Sequence, residues 1–444
     1  MNRTPKNARS WRQLAAATAL ALALPGTAMA QSAAAPDLEG RIAQLEQMVQ
    51  ALKTELDAQK VATAKAAPPA GTQPIQSGTI MTAANPGTRF SFGGFIKLDA
   101  MMTRTDGGEI ADGSAGRLLY LPGSIPVGAA DESTDLDAGG QFSRFWFAAD
   151  SDLEGKKLKG YLEFDLFGSA LGSEAATNTY GVAVRHAYAS WGPWLAGQTW
   201  SNFQDVAALP DAVEFIGPTE GTVFVRQAQV RYTKGPWSFS LENPETLVTP
   251  LLGGAGRISS DDNNVPDFTV RYLHKGDWGH ITVAGLARQL RYETTSGIEA
   301  SGSGYGISVS GKYIINPTND IRYMVTAGSG IGRYLGLAAS NDAVLDTSAD
   351  LENIGVVAGF AAWRHVFNPK LRSSFFYSAA SYDNDTDYTG LGITKTLQSW
   401  HAAIIYSPLP KLDVGAELIV GNRELESGQD GDLHRLQMHV KYNF

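Results

Sequence analysis

The chain ends in LHRLQMHVKYNF (residues 433–444), and this stretch decides the fold class. From Leu436 onward every even-numbered residue is apolar and every odd-numbered residue is polar, up to the terminal Phe444. Because successive side chains of a β-strand point to opposite faces, the alternation predicts a strand with one apolar and one polar face. Such a strand separates two different solvents.

The same two-residue period recurs along the chain after Phe90. It is clearest in the segments 90–102, 158–166, 228–232, 237–242, 305–313 and 412–420. Segments of about ten residues with alternating hydrophobicity, separated by turns, are typical of a transmembrane β-barrel. A soluble β-sandwich or propeller also alternates, so the period alone leaves these folds open.

The connections between the predicted strands favour the membrane barrel. About sixteen strands are predicted, and short turns such as GP (192–193) alternate with long loops, as they do in outer-membrane barrels. The long loops are expected near residues 104–140, 169–180, 202–222, 243–265, 292–303, 334–352, 382–393 and 422–432. An even number of strands brings both ends of the barrel to the periplasmic side, where the turns are short.

Aromatic residues give a third indication. Many of them stand beside the predicted short turns or the carboxy-terminus, among them Trp191, Trp194, Trp237, Trp278 and Tyr442. Rings at the edge of an apolar band form the interfacial girdle of a membrane barrel, whereas a soluble core would bury them in the middle of strands. We therefore predict an all-β transmembrane barrel over residues 89–444, with lipid against one face and a polar lumen behind the other.

The amino-terminus has the pattern of an export signal. Four basic residues precede an apolar run from Leu14 to Leu24, and Ala28-Met29-Ala30 forms a small-residue cleavage site, so residues 1–30 are predicted to be removed. The alternative is an uncleaved anchor, but the run is shorter than the ~20 residues that a spanning helix needs. Cleavage removes four basic residues and no acids, which moves the net charge from −9 to −13. A chain this acidic argues against nucleic acid as a partner.

The next segment, residues 31–61, is predicted to form a short α-helical coiled coil in the periplasm. Its apolar residues follow the alternating spacing of four and three that defines a coiled-coil seam: Leu38, Ile42, Leu45, Val49, Leu52 and Leu56. By themselves the seam residues lean towards two strands, and a single amphipathic helix lying on its own protein is the alternative. Residues 62–88, rich in Ala, Pro, Gly and Thr, are predicted to be a flexible linker.

A barrel of about sixteen strands leaves an aqueous channel, so function is expected in its polar face and in any loop that narrows it. The third long loop, SNFQDVAALPDAVEFIGPTEGT (201–222), is the best candidate for that narrowing. It contains Asp205, Asp211 and Glu214 but no Lys or Arg, and its high apolar content indicates that it folds onto another part of the protein.

Arginines are the candidate selectivity residues of the wall. Strand parity places four of them on the lumen face: Arg185, Arg231, Arg271 and Arg288. Arg144 and Arg226 lie near strand ends, and parity leaves their face open. Arginines lining a pore favour anions, and the guanidinium group matches carboxylate geometry. Glu163 and Asp165 also face inward, so the alternative is that the wall charges merely balance one another.

Four motifs resemble DcaP-like outer-membrane porins: PGSIP (122–126), SRFWF (143–147), GQTWS (197–201) and VRQAQVRYT (225–233). The order of export signal, heptad segment, linker, barrel and terminal Phe444 is similar too, so the likeness covers essentially the mature chain. The resemblance implies a homotrimer of sixteen-stranded barrels whose amino-terminal helices meet as a three-stranded coil in the periplasm. It also implies passive uptake of small anions, dicarboxylates in particular, with the wall arginines and Asp205, Asp211 and Glu214 near the solute.

The expected function is that of an outer-membrane porin for small hydrophilic, anionic, dicarboxylate-like solutes, with no cofactor, no metal and no catalytic residues. Expected partners are further copies of the chain, outer-membrane lipid or lipopolysaccharide, the solutes, and peptidoglycan. The alternatives are a general, weakly selective porin and a barrel that mainly anchors the outer membrane to the cell wall. An enzyme within a barrel is a further alternative, but the chain has no cysteine and its seven histidines lack metal-site spacing.

Overall fold

The computed structural model describes residues 87–168, 181–297 and 299–444. All of them belong to the second of two compact units, Thr79–Phe444. The predicted signal peptide and coiled coil, and nearly all of the predicted linker, lie outside the described residues. The predicted second long loop, residues 169–180, lies outside them completely.

The described residues are mainly β-strands. The strands are β1 (Arg89–Thr105), β2 (Ser133–Gly139), β3 (Arg144–Leu153), β4 (Lys156–Gly168), β5 (Gly181–Trp191), β6 (Trp194–Trp200), β7 (Arg226–Lys234), β8 (Trp237–Glu242), β9 (Thr246–Thr249), β10 (Ile258–Ser260), β11 (Asp267–Gly276), β12 (Gly279–Glu293), β13 (Glu299–Asn316), β14 (Asn319–Ser329), β15 (Ala343–Leu345), β16 (Leu351–Asn353), β17 (Gly355–Asn368), β18 (Leu371–Asp383), β19 (Thr394–Leu409), β20 (Leu412–Leu425) and β21 (Asp430–Asn443).

Antiparallel pairing of neighbouring strands closes these elements into a barrel. The last strand, β21, pairs with the first, β1, with Ile96 opposite Tyr442, so the sheet has no free edge. On its other side β1 pairs with both β2 and β3, which together occupy one position in the ring. At the break between them the Ser143 hydroxyl accepts a hydrogen bond from the Lys97 backbone N–H at 3.0 Å. Counted this way the barrel has sixteen positions, which confirms the predicted antiparallel barrel of about sixteen strands.

The two faces of the wall differ as the sequence predicts. In β20, Leu418 leaves 58% of its surface exposed on the outside, whereas the adjacent Glu417 is 1% exposed. The terminal strand repeats the pattern, with Met438 and Val440 exposed and Gln437 and His439 buried. A wall that is apolar outside and polar inside fits lipid around a wet lumen.

The connections fall into two classes at the two ends of the barrel. Two-residue turns lie at the end that contains Arg89 and Phe444, which we call the short-turn end. The opposite, long-loop end contains loop 1 (106–132), loop 3 (201–225), loop 4 (243–266), loop 6 (330–354) and loop 7 (384–393).

Two connections expected to be long are short, because β12, β13, β20 and β21 extend further than predicted: residues 294–298 and 426–429 are all that remain between them. In the first case the Gly- and Ser-rich start of β13 resembles a loop in sequence. These glycines instead let another segment of backbone pass close to the strand. A Cβ on Gly304 would lie only 2.5 Å from the Gly330 carbonyl oxygen.

The loops pack on one another as well as on the wall. Loops 4 and 6 together form a four-stranded sheet in the order β10-β9-β15-β16, in which β9 and β15 are parallel. Phe203 and Val223 of loop 3 join Tyr334 of loop 6 in a buried apolar cluster that reaches Phe376 on the wall. Burying each such side chain contributes about 1.5–3 kcal/mol, so apolar packing stabilises loops that are otherwise rich in polar backbone.

In the described residues, helical structure is confined to short turns. Helix α1 (Ala115–Leu118) lies in loop 1 and helix α2 (Thr386–Thr389) in loop 7. In the part of the chain that the structure describes, no helix has the length and hydrophobicity needed to cross a membrane.

Candidate functional site

Loop 3 is held against the inner wall at several strands. On one side the Asp205 carboxylate accepts hydrogen bonds from His280 Nε2 at 2.9 Å and Thr282 Oγ1 at 2.8 Å, both on β12. Further along, the Leu209 carbonyl accepts a hydrogen bond from the Arg322 guanidinium on β14. Asp205 is therefore placed as an anchor of the loop.

The tip of loop 3 is attached to other strands. Asp211 pairs with Arg372 of β18 at 2.6 Å, and the Val213 carbonyl accepts a hydrogen bond from Lys97 Nζ of β1 at 2.8 Å. The Glu417 carboxylate of β20 accepts hydrogen bonds from the backbone N–H groups of Val213 and Glu214, at 2.6 and 3.0 Å. The attachments thus follow inward-facing side chains from β12 round to β1.

Glu214 connects loop 3 to loop 1. Its carboxylate accepts hydrogen bonds from the backbone N–H groups of Ile216 at 2.6 Å, Gly217 at 2.7 Å and Tyr120 at 3.0 Å. Burial raises the pKa of Glu214 from its ordinary value, and these backbone donors oppose the shift. Because backbone donors occupy the carboxylate, Glu214 is placed as a loop-organising residue.

Three predicted arginines gather beside Phe215 and Trp200 near one side of loop 3. Arg185 pairs with Glu163 at 2.9 Å and with Asp165 at 2.8 Å, and Arg144 lies 3.6 Å from Glu163. The Phe215 ring lies between these two arginines, with its centroid 5.7 Å from Arg144 and 5.2 Å from Arg185. The Arg226 guanidinium stacks 4.9 Å from the Trp200 ring. The cluster, Arg144, Arg185 and Arg226 with Glu163 and Asp165, has one more cation than it has acids.

Arg231 and Arg271 occupy a different setting near the short-turn end. Together with Lys275 they line a cavity of about 400 Å³. Arg231 donates to the Trp200 carbonyl and to Gln229 Oε1, and Arg271 donates to the Gln204 carbonyl at 3.1 Å. Every one of these acceptors is neutral. Neither guanidinium forms an ion pair with a carboxylate of the described residues, and the carboxylates that act on them, Glu242 on Arg231 and Asp205 on Arg271, do so from beyond contact distance.

Arg288 is placed away from that cavity, in a buried ion cluster. It pairs with Asp342 at 2.9 Å and lies 3.4 Å from Asp267, and all three side chains are fully buried. It also donates to the Glu245 carbonyl of loop 4 and the Gly330 carbonyl of loop 6. Arg288 faces inward as predicted, but its contacts are with the first residue of β11 and with loops 4 and 6, and not with open lumen.

A ladder of alternating charges on the opposite wall was missed. In this ladder each aspartate is shared by two cations. Asp320 pairs with Arg322 (2.8 Å) and Arg364 (3.2 Å), and Asp211 pairs with Arg364 (3.5 Å) and Arg372 (2.6 Å). Asp413 pairs with Arg372 (3.5 Å) and Lys441 (3.4 Å). The two-residue period of the strands could have predicted that these arginines face inward. Arg322 is four residues from the buried, inward-facing Thr326, and Arg372 is two residues from the buried, inward-facing Ser374. Two further arginines near the long-loop end, Arg257 and Arg423, were missed as well.

Comparison with known proteins agrees with this architecture. A family model described as DcaP outer membrane protein matches residues 23–444. The chain belongs to this family. Membership and the closed barrel identify the chain as an outer-membrane porin, that is, a channel protein.

Solved structures similar to this DcaP-family chain are outer-membrane barrels. The outer membrane channel DcaP of Acinetobacter baumannii shares 22% identity at a TM-score of 0.69, over 82% of this chain and 99% of that one. OmpT of Vibrio cholerae lacking loop L8 shares 14% identity at a TM-score of 0.50, over 81% and 100%. Salmonella typhi OmpF, in complex with daunomycin, shares 12% identity at a TM-score of 0.50, over 81% and 98%. These likenesses concern the fold, and the comparison with curated proteins gave no match.

Proposed function

We propose that this porin admits small anionic solutes, dicarboxylates in particular, by passive diffusion through a lumen that loop 3 narrows. The proposal is supported by a difference among the cations of the inner wall in whether a carboxylate pairs with them. Most inward cations of the described residues are paired with carboxylates, whereas Arg231 and Arg271 are not.

Arg231 and Arg271, which form no ion pair with a carboxylate of the described residues, carry the proposal. Both guanidinium groups are held by neutral acceptors beside an open cavity, which leaves their charge available to a passing solute. A guanidinium presents parallel N–H donors that match the two oxygens of a carboxylate. Lys275 adds a third positive charge on the same cavity, so a solute with two carboxylates meets complementary charge there.

The narrowing role of loop 3 is supported by its attachments. The loop leaves the wall between β6 and β7 and is bound through Asp205, Asp211 and the backbone of Val213 at strands from β12 round to β20, so it occupies space inside the ring that a solute must pass. With these acids bound to His280 and Arg372, the loop presents little free negative charge to an anion.

The charge ladder supports a second candidate function, a general porin with weak selectivity. Along β14, β17 and β18 each arginine meets an aspartate, and the whole ladder has four cations and three acids, so most of the charge on that side of the lumen is paired. A pore dominated by this side would favour anions only weakly.

We further propose that the mature porin is a homotrimer in the outer membrane, with residues 31–61 as a coiled coil in the periplasm that reaches peptidoglycan. Cleavage of residues 1–30 belongs to the same proposal. These statements rest on the export signal, the heptad spacing and the sequence resemblance to DcaP-like porins.

Solute uptake by proteoliposomes tests the proposed function. We expect the porin to admit a small dicarboxylate faster than an uncharged solute of equal size. In the R231Q/R271Q variant, the ratio of the two uptake rates should fall roughly threefold. A factor of three corresponds to ~0.7 kcal/mol, a reasonable charge–charge energy in a wet pore.

The matched control is R104Q/K157Q, which removes the same number of charges from exposed, ion-paired positions. This control should behave as the unmodified protein. Equal uptake of charged and uncharged solutes by the unmodified protein would favour the weakly selective porin instead.

A further inference from the structure

A second arginine-lined cavity lies at the long-loop end of the barrel, away from Arg231 and Arg271. It measures about 320 Å³ and is bounded by loops 1, 4, 6 and 7. Arg257 enters it from loop 4 and Arg423 from the end of β20. None of the functions proposed above has used these two residues.

Both guanidinium groups are held by neutral acceptors. Arg257 donates to Asn341 Oδ1 at 2.6 Å and to the Ala338 carbonyl, and Arg423 donates to Thr394 Oγ1 and to the Ile125 carbonyl, each at 3.0 Å. Among the described residues no carboxylate forms an ion pair with either group. The two positive charges are therefore oriented by the fold but not neutralised by it.

The electrostatic surroundings of the pair agree with this picture. The ionisable group that acts on Arg423 is the phenol of Tyr382, whereas Arg257 is acted on first by the Asp342 carboxylate, without an ion pair, and then by Tyr382. Burial lowers the pKa of Arg257, but a guanidinium stays protonated in proteins. Partial desolvation of a cation without a matching anion costs free energy, and a bound anion would recover it.

Backbone strain marks the same site. Gly336, Leu337 and Ala338 follow one another in the left-handed region, with φ of 60°, 58° and 58°. For the two non-glycine residues this conformation costs roughly 1–2 kcal/mol each. The strained segment lines the cavity, and its Ala338 carbonyl is the group that holds Arg257. Strain of this kind is retained where the surrounding structure fixes a functional arrangement.

We propose that Arg257 and Arg423 form an anion-capture site in the outer mouth of the barrel, which binds a carboxylate group of a solute before it reaches loop 3. The inference rests on the proposed function and deepens it, because it adds a binding step at the opposite end of the channel from Arg231 and Arg271. The guanidinium groups are held by backbone, amide and hydroxyl oxygens, and their remaining N–H groups can donate to a carboxylate.

The test measures binding in single channels. Succinate is added to the porin in planar bilayers bathed in KCl, and the concentration that reduces the current by half is determined. We expect the R257Q/R423Q variant to need about tenfold more succinate, the factor that corresponds to losing ~1.4 kcal/mol of charge-assisted hydrogen bonding.

The matched control is R291Q. Arg291 lies at the same end of the barrel, but its charge is met by Glu293 at 3.0 Å and Glu299 at 2.8 Å, so its removal should change the half-blocking concentration less than twofold. The R257K/R423K variant keeps both charges and loses the guanidinium geometry, so it should weaken succinate binding while the KCl selectivity stays unchanged. This variant also decides the matter if the glutamine variant fails to insert.

The outcomes separate the two proposals. An unchanged half-blocking concentration in both double variants, with the unmodified channel still anion-selective, overturns the capture site and leaves the proposed function standing. An unmodified channel without anion selectivity overturns the proposed function itself.

Discussion

Arg288 and Arg231 are both arginines of the inner wall, yet their surroundings give them different roles. Arg288 is enclosed by Asp267 and Asp342, and the removal of one partner from such a buried group typically destabilises a protein by about 3–5 kcal/mol. Arg231 meets only neutral acceptors. The presence of a matching carboxylate thus separates structural arginines from those available to solute.

Glu220 of loop 3 is a fully buried acid that forms no ion pair with the described residues. Neither of its carboxylate oxygens has a hydrogen-bond partner within 3.5 Å in the described part of the chain. The hydroxyls of Ser378 and Ser399 are its polar neighbours, and the ionisable groups around it are Tyr120, Tyr382 and His401. Burial raises the pKa of Glu220, and the Ser399 hydroxyl and then His401 oppose the shift.

The raised pKa makes stability depend on pH in a defined direction. An acid whose pKa is higher in the folded than in the unfolded protein favours folding when protonated, so stability falls as the pH rises from the unfolded pKa, near ~4.3, through the raised value. We expect the E220Q substitution to leave the barrel unchanged at acid pH and to stabilise it by roughly 1–3 kcal/mol at alkaline pH. Heat-induced unfolding in detergent, followed across this range, measures the difference.

The control for this experiment is E132Q, which neutralises an exposed carboxylate and should not change the pH dependence. A parallel pH dependence in E220Q and the unmodified protein would show that Glu220 does not ionise in the loop.

Residue roles were only partly predictable from sequence. Parity of an alternating strand fixes which side chains face inward, and it placed Arg185, Arg231, Arg271 and Arg288 on the correct face. It cannot reveal which of them meets a carboxylate, because Asp342 comes from a loop 54 positions beyond Arg288. Pairing is a property of tertiary structure, and it decides the electrostatics.

At the scale of elements, loop 3 is the segment on which the proposed narrowing depends. Val213 near its tip lies against β20, and a Cβ added to Gly415 would lie 2.7 Å from a Val213 methyl carbon. That separation suits a disulfide, in which the sulfur of one residue approaches the Cβ of the other. Because the chain has no cysteine, an introduced pair has no competing partner.

We therefore expect the V213C/G415C variant to form an intramolecular disulfide on mild oxidation, seen as a mobility shift in gels that reductant reverses. KCl conductance should change little on oxidation, because the crosslink fixes loop 3 where it already lies. The single variants V213C and G415C are the controls. Failure of the double variant to crosslink, or a large fall in conductance on crosslinking, would contradict the position of the loop.

Strands were more predictable than loops for a physical reason. A wall strand separates two solvents along its whole length, so its own sequence shows the two-residue period. The parallel pairing of β9 with β15 joins segments about a hundred residues apart, and no pattern in the local sequence indicates it. The loop sheet, and with it the cavity of Arg257 and Arg423, therefore required the structure.

For the whole molecule, closure of the ring is what turns a polar strand face into a lumen. The pairing of β21 with β1 satisfies the backbone of the terminal stretch 433–444, and a bilayer interior requires every backbone group to be satisfied in this way. Two arginine-lined cavities lie towards opposite ends of this ring, one with Arg257 and Arg423 at the long-loop end and one with Arg231 and Arg271 at the short-turn end. Under the proposed function, a solute that traverses the channel meets positive charge near both ends.

The zero-current potential of the unmodified porin across a tenfold KCl gradient tests anion selectivity most directly. The charges of Arg231, Arg271, Arg257 and Arg423 predict that chloride permeates faster than potassium, so the dilute side becomes negative. A potential of zero, or a positive potential on the dilute side, would contradict the account.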